Sequence, residues 1–204
     1  MSTRKRVGIM GGTFDPIHIG HLIIGECAWQ QLYLDQVLFM PSGNPPHKTD
    51  RAGGASNEQR VEMVRQAIAG NEHFALSLVE MHEMGYIYTS KTLTTLTEEN
   101  PDTDYYFIMG ADSLMDFEHW KDPQIICDKC ALAVAVREHM SMARLEEQIR
   151  RISDLFGARI YRLITENIDI SSHQIRSWMH SGRSCRYYLP DPVLEYIEEQ
   201  KLYL

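Results

Sequence analysis

Apolar residues recur along the chain in short blocks, separated by longer stretches of helical period. The blocks RVGIM at 6–10 and QVLFM at 36–40 read as buried strands. Between them Leu22, Ile23, Cys27, Ala28 and Leu32 follow a 3.6-residue period and predict a helix over 19–34. Ser56 and Gln59 have the spacing of a capping box, which predicts a helix running through Ala69. The alternation continues with strand 74–79, helix 90–99, strand 105–109, a short helix after Asp112, strand 131–136, helix 141–156 and strand 159–164. Two helices follow, 171–180, stopped by Gly182, and 192–201. Strands alternating with helices at this rhythm predict an α/β fold, a doubly wound parallel sheet with helices on both faces. No repeat or linker divides residues 1–204, so we expect a single domain with a helical C-terminal portion from about residue 171.

In open sheets of this kind ligands bind beyond the carboxyl ends of the strands, where the strand order reverses. The segments 11–21, 41–56, 110–113, 137–140 and 167–176 are therefore the candidate site. Residues 41–56 are too rich in Pro and Gly, and too long, to be a mere connection.

Charge narrows the function classes. Lys plus Arg number 20 against 28 Asp plus Glu, a net charge of -8. Such a balance argues against a nucleic-acid-coating surface and leaves room for a small anion held by local donors. The longest apolar run, 130–136, is far too short for a bilayer span, and the basic start lacks a following apolar segment. These features predict a cytoplasmic protein with neither membrane nor nucleic-acid partner. Cys127 and Cys130 form a C-x-x-C, but the other two cysteines lie too far off in sequence to complete a zinc set, so Cys130 reads as the start of a buried strand.

The first strand runs into Gly11-Gly12-Thr13-Phe14-Asp15-Pro16-Ile17-His18-Ile19-Gly20-His21. Glycines here let backbone approach a ligand closely, and the N-terminus of the next helix suits a phosphate. His18 and His21, three apart, share a helical face and can converge on one anion. Gly20 between them leaves space where a nucleotide could lie. The segment is neither a P-loop nor G-x-G-x-x-G. Two other readings of the histidines stay open at this point: zinc ligands, although His82-Glu83 fails to complete H-E-x-x-H because Tyr86 stands where the second histidine should be, or core and capping histidines. Far along the chain, Ser171, Ser172 and Arg176 offer hydroxyls and a charged fork to phosphate, with a plain helix cap and a surface arginine as the alternative.

The segment 11–21 resembles the signature of the nucleotidyltransferase superfamily that includes the bacterial nicotinate-mononucleotide adenylyltransferases. The run ISSHQIR at 170–176 is similar to that family's second motif, with His173 where many relatives carry threonine. Pro45-Pro46-His47-Lys48, Tyr88-Thr89, Gly110-Ala111-Asp112 and Trp120-Lys121 extend the resemblance over nearly the whole chain. Arg137 matches the arginine of an R-P-G segment whose Pro-Gly is Glu138-His139 here.

The resemblance implies a Rossmann-like fold and adenylyl transfer from ATP to nicotinate mononucleotide, giving nicotinate adenine dinucleotide and pyrophosphate. It implies Mg²⁺ arriving with ATP, without direct protein ligands. It assigns catalysis to His18, His21 and Arg176, and ATP binding to these three with Gly11, Gly12, Thr13, Phe14, Gly110, Asp112, Ser171 and Ser172. Asp15, Lys48, Thr89, Trp120, Lys121 and Arg137 fall to the mononucleotide. A flat nicotinate ring would stack on Trp120, and its carboxylate would meet the helix-start amides near Thr89 and the backbone around Lys121. Plainer roles stand beside these: Asp112 as a helix N-cap, Lys48 as a solvated lysine and Trp120 as core. Nicotinamide mononucleotide and 4'-phosphopantetheine are the alternative substrates, a nucleotide-binding regulator without turnover is the alternative class, and a homo-oligomer is left open. In so acidic a chain, His18, His21, Lys48 and Arg176 should gather around one site.

Overall fold

The computed structural model describes residues 4–43, 54–81, 86–136, 141–165 and 169–204. Strands β1 (Lys5–Gly12), β2 (Gln36–Pro41), β3 (Phe74–Leu76), β4 (Thr103–Gly110), β5 (Cys130–Ala135) and β6 (Ile160–Leu163) form one sheet. Its order is β3-β2-β1-β4-β5-β6, and every pairing is parallel. The chain leaves β1 toward one edge and returns at β4 to build the other, so the order reverses between β1 and β4. This is the doubly wound parallel sheet that the alternation predicts, in the Rossmann-like form that the family resemblance implies.

Helices α1 (Ile19–Gln31), α2 (Asn57–Ile68), α3 (Thr89–Glu99), α4 (Ala111–Met115), α5 (Pro123–Lys129), α6 (Met142–Phe156), α7 (Ser172–His180) and α8 (Asp191–Glu199) cover both faces. Side chains alternate across each strand, so β1 and β4 each feed two cores. Met10, Tyr106 and Ile108 join Ala28, Met63, Ile175 and Val193 from α1, α2, α7 and α8. Ile9, Phe107 and Met109 join Leu93, Leu114, Ile126 and Leu145 from α3, α4, α5 and α6. Each fully buried aliphatic of this kind contributes about 1.5–3 kcal/mol. No helix among the described residues is long and apolar enough to cross a membrane.

Several boundaries differ from the sequence pattern for physical reasons. Helix α1 stops at Gln31 rather than at 34, because Tyr33 turns left-handed at φ 48 and the Leu34 N–H reaches back to the Trp29 carbonyl at 3.0 Å. Strand β3 is only three residues long, and Val79–Met81 winds into a 3₁₀ turn instead of continuing it. Helix α5, opened by Pro123 at its first turn, has no counterpart among the expected elements. Gly110, not Asp112, is the N-cap of α4.

Candidate active site

Strand β1 delivers Gly11 and Gly12 to the reversal point, paired with Met40 and Pro41 of β2. Phe14 then takes a left-handed φ of 49°, the Asp15–Pro16 peptide is cis, and α1 begins. His18, buried, is the N-cap of α1, and its backbone N–H donates to Nδ1 of His21 at 3.2 Å. An accepting Nδ1 carries no proton, so the ring proton of His21 sits on Nε2 as a donor. The two imidazoles lie 3.7 Å apart, and Phe14 meets His21 edge-on at 5.0 Å.

Two features of this turn depart from expectation. A Cβ on Gly20 would stand 3.1 Å from His18 Nδ1, so the space that glycine leaves holds the His18 ring rather than a nucleotide. The start of α1 is also less open than a bare helix end: the Ile19 N–H donates to the Tyr188 carbonyl at 3.0 Å and the His21 N–H to the His18 carbonyl at 2.9 Å.

A layer of buried polar groups holds the turn from behind. Arg60 on α2, wholly buried, donates to the Thr13 carbonyl, to the Ser42 carbonyl at 2.7 Å and to Asn57 Oδ1 at 2.7 Å. It thereby joins the ends of β1 and β2. Asp15 turns its carboxylate inward, where Oδ1 accepts from the Ala55 N–H at 3.0 Å and from the Tyr203 hydroxyl at 2.6 Å. Arg176 Nη1 donates to the Asp15 carbonyl at 2.6 Å and stands 3.8 Å from Asp15 Oδ2. Ser172 donates to the Pro16 carbonyl at 2.9 Å, and Ser171 caps α7 by accepting from the Gln174 N–H at 3.2 Å. The two sequence motifs, 156 residues apart between Pro16 and Ser172, are thus one assembly.

Beyond the turn, on the α3 to α6 side, lies a cavity of about 870 Å³. Gly11, Gly12 and Thr13 form one end of it, Tyr88 and Thr89 at the start of α3 another wall, and Asp112, Trp120 and Lys121 the far side. Trp120 is half-buried, edge-on to Phe107 at 5.9 Å and tilted on Phe117 at 5.4 Å, so it is packed and pocket-facing at once. Glu80 accepts from Thr92 Oγ1 at 2.8 Å within the wall, and Lys121 Nζ lies 3.5 Å from Asp122 Oδ1. At Gly43 a Cβ would collide with the Glu80 carbonyl, so only glycine allows this close approach.

The structure gathers His18, His21 and Arg176 around the turn and brings Thr13, Thr89, Asp112, Trp120 and Lys121 to the cavity. Gly110 sits at the start of α4, with open space where its Cβ would be. Asp15 it places behind the turn, away from the cavity, and Phe14 beside His21. Lys48 and Arg137 fall outside the described residues, as do His82 and Glu83. Arg60, Gly43 and Tyr203 were missed by the sequence reading. For Arg60 a signal existed: with Met63, Val64 and Ile68 it occupies the apolar stripe of α2, where an arginine must have buried partners. The thiols of Cys127 and Cys130 are buried, which pushes them up to about 11 and about 12 and suits core packing rather than redox chemistry.

Residues 9–177 match the cytidylyltransferase-like family. A probable nicotinate-nucleotide adenylyltransferase of Lachnoclostridium phytofermentans is 38% identical over 98% of this chain and 100% of its own length. One from a Synechococcus strain is 40% identical over 98% of this chain and 96% of its own. Among solved structures, Plasmodium falciparum nicotinic acid mononucleotide adenylyltransferase complexed with NaAD superposes with a TM-score of 0.80 at 20% identity, covering 98% of this chain and 97% of that one. A likeness at that identity speaks for the fold, whereas the full-length relatives and the match over 9–177 speak for descent: the chain belongs to the cytidylyltransferase-like family.

Proposed function

We propose that this protein transfers the adenylyl group of ATP to nicotinate mononucleotide, releasing pyrophosphate and forming nicotinate adenine dinucleotide. The observation that carries the reading is the position of the Gly12-Thr13 turn, with an imidazole pair on one side and a cavity of about 870 Å³ on the other. A pyrophosphate bridge joining two nucleotides would lie across that turn, one half on each side. The names of the full-length relatives support the same reaction.

In the step, a phosphate oxygen of the mononucleotide bonds to the α-phosphorus of ATP as the bond from that phosphorus to the bridging oxygen breaks. Pyrophosphate departs with the electron pair. The nucleophile is already ionised near neutral pH, so no general base is needed, and the chain's work is to align the reactants and offset growing negative charge. His21 Nε2–H donates to the transferring group, oriented by the His18 amide at its other nitrogen. The backbone of Gly11 permits close approach, while the space beside Gly12 holds the Phe14 ring, and Thr13 contributes a hydroxyl. Arg176 and Ser172 serve first by holding the Asp15 and Pro16 carbonyls, fixing the turn beneath the phosphates.

On the cavity side, the α3 start at Thr89 accepts the nicotinate carboxylate and Trp120 provides the apolar ring surface. Asp112 stands on the cavity wall, where it can accept from a ribose hydroxyl. The donor set beside the turn consists of imidazoles, hydroxyls and a guanidinium, which complements phosphate rather than a bare cation. It fits Mg²⁺ held by ATP oxygens and water, supplying further charge neutralisation.

Incubation with Mg-ATP and, separately, nicotinate mononucleotide, nicotinamide mononucleotide and 4'-phosphopantetheine tests this, with pyrophosphate and product mass as readouts. Nicotinate mononucleotide is expected to turn over fastest. A faster rate with another acceptor would move the substrate assignment, and ATP binding without pyrophosphate from any of them would replace the enzyme by a nucleotide-binding regulator.

A further inference from the structure

Beyond α8 the chain brings Tyr203 back to the polar layer behind the Gly12-Thr13 turn. Tyr203 is buried, with its ring in the core shared by α1, α2, α7 and α8, and its hydroxyl donates to Asp15 Oδ1 at 2.6 Å. Burial and the neighbouring Asp15 charge drive the phenol far above its ordinary range, so it stays protonated and remains a donor. The same Oδ1 accepts from the Ala55 N–H, one residue before the Ser56 cap of α2, where the chain returns from the Pro- and Gly-rich segment. Asp15 itself follows Phe14, whose ring rests on Gly12 and against His21.

A movement of Asp15 is therefore passed directly to Phe14 and from there to the imidazole that faces the phosphates. Arg176 holds the Asp15 main chain and leaves its Oδ2 at 3.8 Å, longer than a hydrogen bond, so the aim of the carboxylate rests on Oδ1 and its two donors. We propose that Tyr203 is a positioning residue for adenylyl transfer: through Asp15 it fixes the Gly12-Thr13-Phe14 turn and couples the segment after α8 and the loop return at Ala55 to the alignment of His21. The proposal rests on the adenylyl-transfer reading of the same site, but its structural half stands apart from that reading.

Tyr203→Phe removes one hydroxyl and keeps the buried ring, so its packing is retained. With the full chain we expect kcat to fall about tenfold at saturating substrates, the loss of one bond to a charged acceptor, with KM values changed less than about twofold. Hydrogen exchange should rise over residues 12–18 and at Ala55 and stay unchanged over β5. A wild-type kcat with unchanged exchange at the turn would overturn the proposal. So would a fall in kcat accompanied by equal loosening of β5, since that marks general destabilisation. If the wild-type chain turns over no acceptor, the enzyme reading fails and the exchange pattern alone decides whether Tyr203 fixes the turn. Asp15→Asn, which keeps an oxygen acceptor but removes the charge, should loosen the turn less than Asp15→Ala; equal loosening by both would also count against it.

Discussion

The two sides of the β1 end are built in contrasting ways. On the α1 and α7 side the turn is held by buried and partly buried polar bonds: Arg60 to two strand-end carbonyls, Asp15 to Ala55 and Tyr203, Arg176 and Ser172 to the turn backbone. On the α3 and α4 side there is an open cavity, walled by a helix start and one half-buried tryptophan. The first construction ties the turn backbone to several fixed partners, and the second leaves room for a substrate of particular shape. Rate should therefore depend on the first side and substrate affinity on the second.

The strongest way to break that division is His21→Ala. Its kcat should drop by roughly 10²–10³, the usual loss for a transition-state donor, with little change in KM for the mononucleotide. Steady-state pyrophosphate release measures it, and a changed KM at constant kcat would reverse the assignment of the two sides.

Next in size is Arg60→Met, which leaves the Thr13 and Ser42 carbonyls, both partly buried, without their donor. Stability should fall by about 3 kcal/mol in a urea titration. Arg60→Lys keeps the charge but cannot span both carbonyls with one planar fork, so it should recover only part of the loss. Full recovery would mean that charge, rather than the paired bonds, is what joins the strand ends.

Trp120→Ala sharpens the other half. KM for the mononucleotide should rise about tenfold, with the ATP value nearly unchanged. Because Trp120 also packs on Phe107 and Phe117, some stability will be lost as well. Equal damage to both KM values would show that packing is its main role.

The smallest effect concerns the cavity-side core, where Cys127 and Cys130 lie. Below pH 9 their thiols are protonated in the folded and unfolded chain alike; above it the unfolded thiols ionise first, while the folded ones wait until about 11 and about 12. Stability should therefore decline as pH rises beyond 9. Urea midpoints at several alkaline pH values for wild type and Cys130→Ala check this, with the variant losing less on the way up.

Much of this arrangement was legible in the sequence, and the rest was not, for identifiable reasons. Strand and helix alternation pointed to a parallel sheet with helices on both faces, and the Ser56 and Gln59 capping box is present as read. The glycine-rich turn and the run from Ser171 to Arg176 pointed to opposite ends of the chain without showing how they meet. Carbonyl acceptors such as those of Asp15 and Pro16 leave no trace in residue type, so the bracing by Arg176 and Ser172 could not be seen. The bond from Tyr203 to Asp15 spans 188 positions, and no local period encodes a contact of that range. The end of α1 escaped because Tyr33 occupies the left-handed position where a glycine would have announced it. Helix α5, seven residues long, was hidden beneath its C-x-x-C.

The division between rate and recognition is tested most directly by a double-mutant cycle on His21→Ala and Trp120→Ala, with kcat/KM for the mononucleotide measured for all four proteins in one assay. Residues acting on separate sides of the turn should give penalties that add to within about 0.5 kcal/mol. A double variant no worse than His21→Ala alone would show that the two act as one unit, contradicting the division.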